Sequence, residues 1–175
     1  MAVRDILIYP DSRLRERANE VKEISSEVRL LLDDMTETMY AAPGIGLAAP
    51  QVGVLLRAIV IDLGVDEEIG RQPRLYKIIN PEIVSSSGEL EYEEGCLSIP
   101  DLRDKVIRSA NVHVRGLDEN GSTIDVDADG LFAVCLQHEI DHLDGVLFVD
   151  RLSKLRRELM KSKLAKLAKL SLGGL

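Results

Sequence analysis

The stretch GLFAVCLQHEIDHLD, residues 130–144, constrains this chain more than any other. At 3.6 residues per turn it places Ala133, Leu136, Ile140 and Leu143 on one face and Leu131, Val134, Cys135, His138 and His142 on the other, with Gly145 to close it. Neither face is polar. A helix apolar around most of its circumference is a central one, so the remainder of the chain has to wrap around it. Polar side chains buried with it need partners, which makes His138, Glu139 and His142 the residues to explain.

A chain of 175 residues suits one hydrophobic core, and residues 1–175 are expected to form a single domain. Val28, Leu31, Leu32, Met35 and Met39 recur at helical spacing behind Ser25 and Ser26, predicting an amphipathic helix over 25–41 that Pro43 and Gly44 end. RAIVID (57–62), LYKIIN (75–80) and KVIRSANVHVRGLD (105–118) are rich in β-branched residues, and Asp118-Glu119-Asn120-Gly121 reads as a hairpin turn into Ser122–Val126. Gly64–Pro73 reads as a surface loop. The expected class is α+β: antiparallel sheets packed around the central helix, with an N-terminal helix and a basic C-terminal helix over 151–175.

His138-Glu139-Ile140-Asp141-His142 is an HExxH pattern, and on a helix its two histidines project from one face close enough to share a metal ion. Glu139, one step from the first histidine, reaches a metal-bound water without binding the metal, as a general base must. A hydrolytic site of this kind takes three protein ligands and keeps one position open. Phe148 stands where the protease extension of this motif has its third histidine. Cys135 lies on the histidine face, but at ~1.5 Å rise per residue it sits about 10 Å along the axis from His142, so it reads as packing or pocket wall. Cys96, in EGCLS, and the downstream Glu158 remain as candidate third ligands, while His113 reads as a solvent-facing strand residue.

Charge divides the chain. Residues 151–175 carry eight basic residues against Glu158 alone, a net +7 that leaves −15 for the remainder. Leu152, Leu155, Leu159, Leu164 and Leu167 are expected to pack this tail on the body. With 3% aromatics and no Trp, a nucleic-acid surface of stacked aromatic platforms is not expected. No apolar run approaches the ~20 residues that cross a bilayer, and MAVRDILIYPD does not read as a secretory signal. A cytoplasmic or organellar-matrix protein with both cysteines reduced is expected.

Three segments, GIGLAAPQ (44–51), EGCLS (94–98) and QHEIDHLDG (137–145), in this order and spacing resemble the peptide deformylase family. The resemblance implies a hydrolase that takes the formyl group from the N-terminal formylmethionine of nascent polypeptides and releases formate. It implies one divalent metal per chain, Fe²⁺ in the cell with Zn²⁺ or Ni²⁺ as substitutes, held by Cys96, His138 and His142; a cysteine with two histidines also accepts Co²⁺. Glu139 then matches the acid/base, and Gln51 with the backbone N–H of Leu97 matches the oxyanion donors. The substrate is implied to lie as an added strand beside Ile45 and Gly46, with Gly44 and Gly46 permitting close approach. Its Met side chain is implied to enter a pocket that includes Ile45, Glu94, Leu131, Val134 and Cys135, with Gly95 and Arg103 near the substrate main chain. By the same analogy the basic tail docks on the ribosome; a monomer without DNA or membrane partners is expected. Two other readings share the motif: a zinc metallopeptidase with a downstream acidic ligand, and a metal-stabilised ribosome-binding module in which Glu139 is dispensable.

Overall fold

The β-branched runs become strands that pair antiparallel throughout. The computed structural model describes residues 2–173, with side chains through residue 170; Met1, Gly174 and Leu175, part of the expected 1–175 domain, lie outside the described residues. Strands β1 (Gly46–Ala48), β2 (Ala58–Ile61), β3 (Tyr76–Ser87), β6 (Asn111–Leu117) and β7 (Thr123–Asp129) form a sheet in the order β1-β2-β3-β6-β7. Strands β4 (Leu90–Cys96) and β5 (Ile99–Arg108) form a separate two-stranded sheet. The β6–β7 turn is the expected one: Asp118 Oδ1 accepts the amides of Asn120 and Ser122, and Gly121 takes the positive φ of 80° that closes it.

Helix α1 (Ser26–Ala41) starts where Ser25 Oγ accepts the Val28 amide, and it buries all five residues of the predicted apolar stripe. Helix α2 (Gly130–Leu143) has every residue from Ala133 to Leu143 buried, as its apolar circumference requires. Strand β2 is buried on both faces because these helices cover both. Ala58 and Val60 pack with α1, whereas Ile59 and Ile61 pack with Leu136 and Ile140 of α2.

A third cluster, including Leu14, Ile99, Val106, Phe148, Leu152 and Met160, joins the β4–β5 hairpin to helix α3 (Lys154–Gly173). The expected packing of the tail leucines is corrected here. Met160, Leu164 and Leu167 face the body, but Leu155 and Leu159 are 70% and 68% exposed. Arg156 pairs with Asp104 of β5, and residues 156, 160, 164 and 167 share one face, so this pair turns Leu155 and Leu159 outward. The 105–118 run is likewise not one strand. It breaks at Ser109–Ala110 between the two sheets, where Gln137 of α2 accepts the Ser109 amide and donates to its carbonyl.

Candidate active site

The four-residue step on α2 sets the His138 and His142 rings 5.0 Å apart, and the tight β4–β5 turn brings Cys96 to them. Ligand atoms of the three residues all lie within 4.8 Å of one another, and Cys96 Sγ is 3.3 Å from His142 Nε2. His138 Nδ1 faces Glu94 Oε1 at 2.8 Å; with Glu94 as acceptor, that nitrogen carries the proton and Nε2 is left as the donor toward a cation. Burial holds His142 well below the ordinary histidine range, hence neutral. Burial also opposes charge on His138, but Cys96 and Glu94 beside it outweigh that and raise it well above the ordinary range. A thiol and two imidazoles converging from buried elements fit a divalent ion with one position left open. Glu158 is exposed on α3, outside this group, and Phe148 stacks on the His138 ring at 6.2 Å.

Glu139 is buried, its Oε2 has no partner among the described residues, and burial pushes its carboxyl up to about 7. Such a group takes and returns protons near neutrality. The reason for glycine at position 46 is specific: a Cβ there would stand 2.7 Å from Glu139 Oε1. A Cβ at Gly44 would stand 2.7 Å from Leu97 Cδ1, so the two glycines let β1 lie against both the carboxylate and the β4–β5 turn. Gln51 is oriented by its own backbone neighbourhood. Its Oε1 accepts the Ala48 amide at 2.9 Å, which turns Nε2 toward Ser98 Oγ at 3.1 Å and Cys96 Sγ at 3.7 Å.

These groups border a cavity of about 600 Å³. Gly44, Ile45, Gly46, Gln51, Glu94, Gly95, Cys96, Leu97, Arg103, Leu131, Val134, Cys135, His138 and Glu139 all line it, whereas His142 sits behind. The cavity opens between β1, the end strand of the larger sheet, and β4, which has one strand partner, so two backbone edges that no other described strand pairs with flank it. Glu94 borders the space, but its carboxylate is fully engaged by Arg108 and His138 and offers a substrate little. Arg103 lies across Gly95 at the rim and donates to the Glu93 carbonyl. Burial, with Glu139 and Glu94 nearby, pushes the Cys135 thiol far up, which makes it wall rather than nucleophile.

Sequence reasoning missed Ser98, the hydrogen-bond partner of Gln51, although it closes the EGCLS segment. It also missed Tyr92, Asp101 and Leu102 at the cavity rim, and Arg108 and Asp141 behind Glu94; nothing local in the chain marks them. His113 sits far along β6 from these residues, between Asp125 and Asp127, whose carboxylates raise its pKa.

Residues 3–158 match the family model of polypeptide deformylase. A peptide deformylase of Afipia carboxidovorans is 55% identical over 172 residues, covering 98% of this chain and 99% of the relative. The crystal structure of a peptide deformylase from Legionella pneumophila superposes with a TM-score of 0.86 at 48% identity, covering 98% of each chain. That of Ehrlichia chaffeensis peptide deformylase in complex with actinonin gives 0.86 at 44% identity, over 95% of this chain and 98% of that one.

Proposed function

The chain belongs to the polypeptide deformylase family, metalloenzymes that remove the N-formyl group from nascent peptides, and from that premise we propose how its own residues carry the reaction. The observation that carries the reading is the meeting of Cys96, His138 and His142 beside Glu139 and Gln51 at one cavity. Cys96, His138 and His142 hold the metal, Fe²⁺ in the cell, and Zn²⁺, Ni²⁺ or Co²⁺ fit the same soft and borderline donors. When bound, such an ion polarises the formyl carbonyl and brings the pKa of a water toward ~7. Glu139 takes the water proton as oxygen adds to the formyl carbon. Gln51 Nε2 and the Leu97 N–H donate to the developing oxyanion, each such donor contributing ~3 kcal/mol. The C–N bond then breaks, Glu139 returns the proton to the leaving amine, and formate departs.

The peptide lies extended between the free edges of β1 and β4, pairing with the backbone near Ile45 and Gly46. Its Met side chain enters among Ile45, Leu131, Val134 and Cys135, and Arg103 meets the main chain further out. The deciding experiment is formate release from a formyl-Met peptide by anaerobically purified protein, with metal measured on the same sample. Formate with about one metal per chain, lost on chelation, is expected. A fully metallated protein that releases none overturns the reading.

Gly46→Ala tests the placement of Glu139 while leaving its carboxyl group chemically unchanged. The added methyl displaces the carboxylate from beside β1, and a misplacement near 1 Å costs roughly 10²-fold in turnover. Turnover close to wild type would mean that Glu139 need not sit there.

No described helix is long and apolar enough to cross a membrane. The setting we assign is the cytoplasm or an organellar matrix, with the protein a monomer meeting the ribosome through α3. What supports this is the exposed basic face of α3, where Lys161, Lys166 and Lys169 stand in solvent and attract RNA phosphates. Deleting 151–175 is a poor test, because it strips buried Leu152 and Met160 from the core. Replacing Lys161, Lys166 and Lys169 together by Gln should weaken ribosome binding and flatten its salt dependence while leaving peptide deformylation intact; unchanged ribosome affinity refutes docking.

A further inference from the structure

Arg108, the last residue of β5, is charged, inward-facing and 6% exposed. Its guanidinium forks onto Glu94, Nε donating to Oε2 at 2.8 Å and Nη2 to Oε1 at 2.9 Å, while Nη1 donates to Asp141 Oδ2 at 2.6 Å. Glu94 Oε1 is the same atom that meets His138 Nδ1. Asp141 in turn accepts from Arg151, Nη2 at 2.9 Å and Nε at 3.1 Å. Two carboxylates and two guanidiniums thus balance in a line that runs from Arg151, half-exposed in the turn before α3, through buried Asp141, Arg108 and Glu94 to His138. The line's three buried members, Asp141, Arg108 and Glu94, are costly to bury unless each is paired, and each is.

We infer that Arg108 is a positioning residue for the metal centre, fixing His138 through Glu94 and the ligand-bearing turn of α2 through Asp141. The inference rests on the reading of Cys96, His138 and His142 as ligands. A carboxylate holding a histidine by one hydrogen bond can still rotate about its own side-chain torsions. The planar fork removes that freedom and sets the ring plane. Asp141 lies between His138 and His142 in sequence, so Nη1 ties the turn carrying both ligands to the strand whose partner, β4, carries Cys96. The backbone is bolted at the same level: Gln137, the residue before His138, accepts the Ser109 amide at 3.0 Å and donates to the Ser109 carbonyl at 2.9 Å. That gives Gln137 of the QHEIDHLDG segment a use that the reaction itself does not supply.

The test compares Zn²⁺ affinity, by chelator competition, in the wild type, Arg108→Lys, Asp141→Asn and Cys96→Ala, with melting of the metal-free proteins alongside. Lysine keeps the charge but offers one point donor in place of a fork. Arg108→Lys is expected to lose ~10–100-fold in Zn²⁺ affinity, the usual effect of removing an outer hydrogen-bond partner, and Asp141→Asn to lose less. The visible spectrum of the Co²⁺-loaded variants should shift, and deformylation should lose kcat with KM little changed. A residue that only holds the fold would lower melting while leaving Zn²⁺ affinity and the Co²⁺ spectrum as in the wild type, which overturns the inference. If Arg108→Lys does not fold, Asp141→Asn decides by the same readouts. Cys96→Ala separates the two readings: if it binds Zn²⁺ like the wild type, the ligand assignment fails, whereas its loss of Zn²⁺ beside unaffected Arg108→Lys and Asp141→Asn defeats the positioning role alone.

Discussion

Glu139→Gln is expected to lower kcat by ~10²–10⁴-fold while the protein keeps its metal. The amide has the carboxylate's shape, so it fits against Gly46, but it cannot take a proton from water or return one to the leaving amine. Oε2 has no partner among the described residues, and the group is buried. Burial penalises the charged carboxylate, which the neutral amide replaces, so at neutral pH and above the metal-free Gln variant should melt no lower than the wild type. Steady-state kinetics on a formyl-Met peptide, metal analysis and a thermal melt check all three statements. Near-normal turnover in a metallated Gln variant would remove Glu139 from proton transfer.

Cys96→Ala is expected to lose metal and activity together, the opposite pairing. Its Sγ approaches His142 Nε2 at 3.3 Å from outside α2, and without it the ion keeps two imidazoles from one helix. The affinity loss should exceed the ~100-fold that removal of an outer partner causes. Cys135→Ser is the control. Its thiol is buried in the pocket wall, outside the ligand group, so the substitution should leave metal content unchanged. Metal retained by Cys96→Ala and lost by Cys135→Ser would reverse the assignment.

The helices were legible because their signals are local. Ser25 and the Val28–Met39 stripe specify α1, and the apolar circumference of 130–143 specifies a buried α2. Of the hairpin β4–β5 only Lys105–Arg108 fell in an expected strand run; the rest was not legible, and inward-facing Asp104 and Arg108 give no sign of being buried. Their partners Arg156, Glu94 and Asp141 stand 52, 14 and 33 residues away, and no window of sequence contains them all. The tail shows the same limit. Its spacing implied packed leucines, but which of them pack was set by the Arg156–Asp104 pair and by Met160. For the site, HExxH marked two candidate ligands by spacing alone, while favouring Cys96 over Glu158 as the third required either the family resemblance or the fold.

The sequence by itself determined the buried helix, the histidine pair and glutamate it carries, the strands β2, β3, β6 and β7 and the charge asymmetry, because each depends on residues within a few turns of one another. The tertiary structure decided the rest: that a β-turn delivers Cys96 to the histidines, that Gly46 makes room for Glu139, and that Arg108 ties Glu94 to Asp141. Those are contacts between distant segments, and their energies come from burial and pairing that exist only once the chain has closed around α2.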